Sequence, residues 1–387
     1  MRKFLIGASV LLGVAAIGFF GLAPGIVERG MNRWTGAVWP VSNRAKALHG
    51  RLTVIDLHAD TLMWQRDLLS ESDQGHVDLK RLIGGNVALQ VFSSVTKTPR
   101  GQNYEANGGD TDNITPLVIG QLQPTRTWFS LTERSLFHAQ KLKDAEDRAQ
   151  GLLRIIRTPD DLAKLLADRA AKVPVTGALL STEGAQNLQG DIANLARLHA
   201  AGFRMIGLVH FFDNDVGGSM HGLKKGGLTP LGAQVVQQAE QRGMIIDLAH
   251  SSAATYADVM RIATRPVVVS HGGVKASCNT PRNLTDDQLR LLKANGGMIG
   301  IGYWDAAVCQ PTPQATARAI LHVIRIAGID HVGLGSDYDG GTTVGFDTAH
   351  LDALTQALLD AGLSEADIAR VMGGNAARLL AAGLAPR

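Results

Sequence analysis

The residues of this chain that could do chemistry are histidines and carboxylates, and they recur in one kind of place. "VIDLHADTL", Val54 to Leu62, sets His58 two positions before Asp60. Further along come Glu183 in "STEGAQ", His210 in "GLVHFFDN", His250 in "IIDLAHSS", His271 in "VVVSHGG" and Asp337 in "GLGSDYDG". Each ends or follows a short apolar run. In a strand, residues two apart point to one face, so His58 and Asp60 are aimed together. Taken singly, each has an ordinary explanation: a histidine closing a buried strand is usually a hydrogen-bonded core residue, and an aspartate before glycine is a turn former. Together they are a donor set of imidazole nitrogen and carboxylate oxygen without thiolate. That set suits Zn²⁺, with Mn²⁺, Fe²⁺ or Co²⁺ as alternatives. Five ligand-type residues and a central carboxylate exceed the needs of one tetrahedral ion. A shared glutamate would bridge two ions about 3.5–4 Å apart, and such pairs polarise a carbonyl and deliver hydroxide.

Elements must bring these residues together. Eight short runs read as strands: "LTVIDL" from Leu52, "VALQVF" from Val87, "TGALLS" from Thr176, "RMIGLV" from Arg204, "MIIDLA" from Met244, "PVVVS" from Pro266, "GMIGIG" from Gly297 and "HVGLGS" from His331. Each has the length and continuity of a strand buried on both faces, as in parallel sheets. Between most of them lie helical patterns with glycine just past the end, such as "IANLARLHAAG", "PLGAQVVQQAEQRG" and "DDQLRLLKANGG". Alternation argues for βαβ units, and a count of eight for a (β/α)₈ TIM barrel, whose C-terminal strand ends converge on one mouth. Six of the eight runs end in a histidine or carboxylate. The rival doubly wound sheet lacks its glycine-rich fingerprint after the first strand. The stretch 94–174 is too long for a plain connection and reads as an excursion with its own helices, such as "SLTERSLFHAQKLKDAEDRAQGLLRII".

The bulk properties fit this. The chain has 387 residues, 45% hydrophobic and 19% charged, with a net charge of +3. That allows one large domain, here 51–387. No Lys/Arg block marks a nucleic-acid partner. Arg2 and Lys3 precede the uncharged, mostly apolar run Phe4 to Ala23, about the length that spans a bilayer. Residues 1–24 therefore read as a signal-anchor helix, with a cleaved signal peptide as the competitor. Either way the bulk of the chain is expected outside the cytoplasm, periplasmic or extracellular, anchored or secreted. Residues 25–50 read as a partly basic tether whose Trp34 and Trp39 suit a membrane interface. Cys278 and Cys309 have no metal-motif spacing, and sequence alone leaves their pairing open.

The stretches "VIDLHADTL", "STEGAQNL", "LVHFFDN", "HGLKKGGLTPLGAQVV", "RGMIIDLAHSS", "VVVSHGGVKASCNTPRNLTDD", "HVGLGSDYDG" and "MGGNAARLL" resemble the membrane dipeptidase family (renal dipeptidase, peptidase family M19). That family lies within the amidohydrolase superfamily of metal-dependent barrels. The likeness runs in family order from about Arg51 to the C-terminus. It is interrupted around Lys224 and Lys225 and weak over 94–174. The resemblance implies two Zn²⁺ ions per chain. His58 and Asp60 would hold one, Glu183 would bridge both, and His250 with His271 would complete the second site. His210 would stabilise the oxyanion at the scissile carbonyl. Arg282, in "TPRNL", would take the substrate's terminal carboxylate. Asp337 would exchange protons with a metal-bridging hydroxide and the leaving amine. Many superfamily relatives carry His-X-His on the first strand; His-X-Asp fits the dipeptidase branch. The implied activity is hydrolysis of dipeptides, with a D-residue at the C-terminal position and a homodimeric assembly left open. The alternatives are another binuclear amidohydrolase acting on N-acyl amino acids, lactones or β-lactams, and a non-enzymatic barrel that binds without turnover.

Overall fold

A computed structural model of the chain describes residue 4 and residues 16–385. Its centre is a ring of eight parallel strands. They are β1 (Val54–Ala59), β2 (Val87–Val95), β3 (Thr176–Glu183), β4 (Phe203–Gly207), β5 (Ile245–Asp247), β6 (Val268–Gly272), β7 (Met298–Ile301) and β8 (Val332–Leu334). Each strand pairs with the next, β8 pairs with β1 through Leu334 and Asp56, and the ring closes. All eight runs read from the sequence are strands of this (β/α)₈ barrel.

The strand composition explains the closure. Every residue of β1, β2 and β3 is buried, so hydrophobic side chains are required on the outward face. Ile55 and Leu57 of β1, with Leu89 and Val91 of β2, join one apolar cluster with the helix residues Leu162, Leu165, Leu379 and Leu380. Since side chains alternate along a strand, Asp56 and His58 are left for the other face, inside the barrel. Each large apolar side chain so buried contributes about 1.5–3 kcal/mol.

The helices start where the sequence supplies caps. Thr285 and Gln288 form a capping box before Asp286–Asn295, which ends at Gly296 in the left-handed region (φ 79°). Thr229 accepts from the Gly232 amide to open Pro230–Gln241, with proline in the first turn. Between β2 and β3 lie helices Ile114–Gly120, Arg126–Phe129, Leu131–Arg148 and Pro159–Ala170. The helical reading of the excursion stops at Arg148. Gln150 and Gly151 turn with φ of 51° and 85°, and "LRI" becomes a short strand, Leu153–Ile155, beside the start of β3.

The stretch read as a tether is folded onto the barrel. Helix Ala23–Met31 leads into a two-residue strand, Arg33–Trp34, which pairs with Thr343–Val344 beyond β8. The indole nitrogens of Trp34 and Trp39 both donate to the Gly345 carbonyl, at 3.2 and 2.8 Å. Among the described residues no helix is long and apolar enough to cross a membrane. The anchor reading of Phe4 to Ala23 falls mostly outside the described residues.

Candidate metal centre and active site

The C-terminal ends of the strands carry the functional side chains inward. His58 lies in β1 and Asp60 just after it, Glu183 ends β3, and His271 lies in β6. His210 and His250 follow β4 and β5 by three residues each, and Asp337 follows β8 by three. Beyond β5 and β8 the chain turns at His250, Asp337 and Asp339, which take φ of 63°, 59° and 63°. Such left-handed backbone is unfavourable for non-glycine residues, on the order of 1 kcal/mol each, and of these three His250 and Asp337 line the cavity.

Buried carboxylates hold these ends in place. Asp56 accepts from the His58 amide (3.1 Å), from the Ser336 amide and hydroxyl, and from Gln90 Nε2 (3.0 Å). Asp247 does the same across β5 and β6, accepting from the amides of Ala249 and Ser270 at 2.9 Å each. Asp56 thereby ties β1 to the turn after β8, and Asp247 ties β5 to β6.

Glu183 Oε1 is the centre of the cluster. The Nε2 atoms of His250, His271, His210 and His58 lie 3.0, 3.3, 3.4 and 3.6 Å from it. His58 Nε2 also faces Asp60 Oδ1 at 3.5 Å and Asp337 Oδ1 at 3.9 Å. Three overlapping groups of donors result: His58–Glu183–His271, Glu183–His210–His250 and His58–Asp60–Asp337. The structure thus brings together every histidine and carboxylate singled out in the sequence.

The donors fit a bound cation. His58 Nε2 and Asp60 Oδ1 are buried without a hydrogen-bond partner, a costly state for polar atoms unless something else satisfies them. The Nε2 atoms of His250 and His271 stand 3.0 Å apart. At that distance one can donate to the other, or both can turn their lone pairs on one cation between them. Burial, with the positive charge of Arg282 added, holds His250 well below its ordinary value. Burial likewise holds His210 and His271 well below theirs. Neutral imidazole is the ligating form. Burial also pushes Glu183 up to about 7, with the Asp60 charge adding to it. At His58 burial opposes protonation, and the Asp60 and Glu183 carboxylates more than reverse it. The pull on a proton there is the pull on any cation.

Beside the cluster lies Arg282, 1% exposed. Its Nη2 donates to the His271 carbonyl (2.9 Å), its guanidinium sits 5.6 Å from the Trp304 ring centre, and its Nη1 has no partner. A buried guanidinium with a free Nη1 at a cavity wall has the planar donor geometry that suits a carboxylate. The cavity holds about 470 Å³ and is lined by Asp60, Glu183, His210, His250, Arg282 and Asp337, with Tyr104 and Trp304. His58 and His271 lie beneath them, 1% and 0% exposed. Asp337 is raised well above its ordinary value by burial, with the Glu183 and Asp60 charges adding to it.

Several contributors escaped the sequence reading. Tyr104, from the excursion, accepts from Trp304 Nε1 through its hydroxyl at 3.2 Å and, through its carbonyl, contacts His221 Nδ1 at 2.9 Å. His221 in turn stacks on Phe211, with ring centres 4.8 Å apart. Nothing in the pattern around Tyr104 signals this. Asp56 and Asp247 could have been found: both precede a histidine by two or three positions in near-identical "IDL" runs.

A closed eight-stranded barrel with imidazoles and carboxylates at one mouth defines a metal-dependent hydrolase barrel. The chain belongs, more particularly, to the membrane dipeptidase family, peptidase family M19, whose description matches residues 42–383. It is 36% identical over 213 residues to dipeptidase aclJ of Aspergillus oryzae, covering 52% of this chain and 50% of that protein. It is 34% identical over 314 residues to dipeptidase verJ of Clonostachys rogersoniana, covering 79% and 75%. The chain thus spans half the length of the Aspergillus relative and three quarters of the Clonostachys one. Among solved structures, the probable dipeptidase PvdM from Pseudomonas aeruginosa superposes with a TM-score of 0.75 at 21% identity, over 88% of this chain and 98% of that one. A metallopeptidase from Rhodobacter sphaeroides, liganded with a phosphinate mimic of the dipeptide L-Ala-D-Ala, gives 0.70 at 24% identity, over 86% and 99%. At such identities the likeness is one of fold.

Proposed function

We propose that this protein is a zinc-dependent dipeptidase with two ions per chain. One observation carries the reading: four imidazoles and three carboxylates converge around Glu183 beside a buried guanidinium with an unpartnered Nη1. His58 and Asp60 would hold one ion, His250 and His271 the other, and Glu183 both. Such ions supply a hydroxide at neutral pH and polarise the scissile carbonyl.

The chain's own residues do the rest. Arg282 binds the C-terminal carboxylate of the substrate and fixes its reach, which excludes longer peptides. His210, kept neutral by burial, donates a hydrogen bond to the carbonyl oxygen as negative charge develops there. Asp337, which burial makes a stronger base in its carboxylate form, takes a proton from the attacking water and returns it to the leaving amine. The phosphinate-bound Rhodobacter neighbour supports including D-residues at the C-terminal position. The apolar run Phe4 to Ala23 supports a membrane anchor with the barrel outside the cytoplasm. The Cys278–Cys309 disulfide fits the oxidising compartment this requires.

A panel of dipeptides with both stereoisomers at each position, run beside tripeptides, N-acyl amino acids and dipeptide amides, tests the reading. Turnover of dipeptides alone is the expected result. Good turnover of amides or tripeptides would move the assignment to another amidohydrolase.

A further inference from the structure

The active-site cavity has a wall that the barrel does not supply. Val27 and Met31, on the helix Ala23–Met31 upstream of the first barrel strand, line the same cavity as Asp60, Glu183 and Arg282. Met63, Ile114 and Leu117 line it too. Met63 and Ile114 belong to a small apolar cluster with Trp64, Val95 and Val118, against which Leu117 packs. Val27 and Met31 are 42% and 45% exposed. With Met63, Ile114 and Leu117 they make one apolar side of a cavity whose other residues include Asp60, Glu183, Arg282 and Asp337.

The helix is clamped to the loop that carries Asp337. Glu28, 3% exposed, accepts from Arg66 Nε at 2.6 Å, and the same guanidinium donates to Asp339. Asp339 also accepts from Thr61 Oγ1 and the His76 amide, at 2.6 Å each. Asn32 Oδ1 accepts from the Gly341 amide at 2.9 Å, and Arg33 N donates to the Thr342 carbonyl at 3.0 Å. These contacts fix where the helix stands relative to the site.

Its place in the cavity can be read from the glycines of that loop. A Cβ at Gly341 would lie 2.9 Å from Met31 Cε, and one at Gly340 would lie 2.8 Å from Asp60 Oδ2. Met31 therefore stands one residue along the loop from Asp60. Met63 and Trp64 follow Asp60 by three and four residues, so the apolar wall continues on the Asp60 side. Arg282 sits by Trp304 and, through it, Tyr104, none of which belongs to the apolar cluster of the wall. A dipeptide whose carboxylate sits on Arg282 directs its amino-terminal residue toward Asp60 and this wall.

We propose that helix Ala23–Met31 forms, with Met63, Ile114 and Leu117, an apolar subsite that selects dipeptides with a bulky apolar amino-terminal side chain. The proposal rests on the dipeptidase reading above and adds to it a specificity element outside the barrel. Covering Val27 and Met31 with a substrate side chain removes apolar surface from water, the driving force for selection.

The test uses the full chain and the ratio of kcat/KM for Leu-Gly to that for Gly-Gly. The double variant Val27→Ala/Met31→Ala is expected to lower this ratio roughly tenfold, the usual scale for losing a few methylenes of pocket wall. Met31→Trp, which fills the subsite instead, is expected to lower it as well. Ile26→Ala, on the same helix but outside the cavity lining, should leave it unmoved, as should scoring Gly-Leu against Gly-Gly in all variants. A Leu-Gly ratio within twofold of the parent in both Met31 variants overturns the proposal. So does a fall confined to Gly-Leu, which would assign the wall to the carboxy-terminal residue. A parent enzyme that hydrolyses none of the three dipeptides overturns the dipeptidase reading and this inference with it. Turnover with an unmoved ratio overturns this inference alone.

Discussion

The floor of the cavity, where His58, Glu183, His250 and His271 meet, is supplied by the ends of barrel strands. Its wall, where Val27, Met31, Ile114 and Leu117 face the same space, comes from an upstream helix and an excursion between β2 and β3. The floor is held by a ladder of parallel strands and by buried carboxylates such as Asp56 and Asp247. The wall is held by a few cross-links, chiefly Glu28 to Arg66 to Asp339. Reaction type thus rests on the part of the molecule least free to move. Choice of substrate, on the subsite proposed above, rests on parts outside the ladder.

The largest effect that would break this contrast is at the floor. Stripping the metal with a chelator should abolish hydrolysis, and added Zn²⁺ should restore it. Metal analysis of the active protein should find two ions per chain, and one or none would remove the two-metal reading. Next comes the proton. Asp337→Asn preserves size but cannot accept a proton, so kcat should fall by at least about 10²-fold while metal content stays near that of the parent. Loss of metal together with activity would make Asp337 a ligand.

Arg282 belongs neither to the ligand set nor to the apolar wall, and its removal should cost less. Charged hydrogen bonds of this kind are worth about 1.5–3 kcal/mol, so Arg282→Met should lower kcat/KM on dipeptides roughly 10- to 150-fold. Dipeptide amides should be poor substrates from the start and lose little more. Equal losses on acid and amide, read in a double cycle of variant and substrate, would leave Arg282 a structural role only. The smallest effect on turnover should come from Cys278→Ser/Cys309→Ser. The disulfide closes a loop of sequence separation 31 that contains both Arg282 and Trp304. By loop-closure entropy its loss should lower stability by about 3–4 kcal/mol, seen as a lower Tm, with kcat on dipeptides close to the parent's.

The same contrast decides how much could be read from sequence. The floor was legible because ligand chemistry uses few residue types and the barrel places them at regular intervals, after apolar runs that announce strands. His58, Glu183, His250 and His271 each sit where a strand ends, and their convergence follows from the topology alone. The wall was not legible. Met31 and Leu117 are apolar residues among many, and only tertiary packing decides that they face the cavity. Tyr104 lies in a connection without periodicity. The stretch 25–50, polar and rich in breaks, gave no sign that Trp34 and Trp39 would both bond to Gly345. The disulfide likewise depended on distances that no spacing reports.

The backbone at His250, Asp337 and Asp339 has a consequence for anyone who would engineer this enzyme. All three hold left-handed φ, which histidine and aspartate tolerate better than most side chains but less well than glycine. A screen that selects only for heat resistance is expected to enrich asparagine or glycine at His250 and Asp337, with gains on the order of 1 kcal/mol at each, but to keep Asp339, whose carboxylate holds Arg66, Thr61 and the His76 amide. Those gains would come at a proposed metal ligand and a proposed proton carrier. Directed evolution toward a hardier catalyst should therefore keep these two codons out of the library and look for stability on the outer helices.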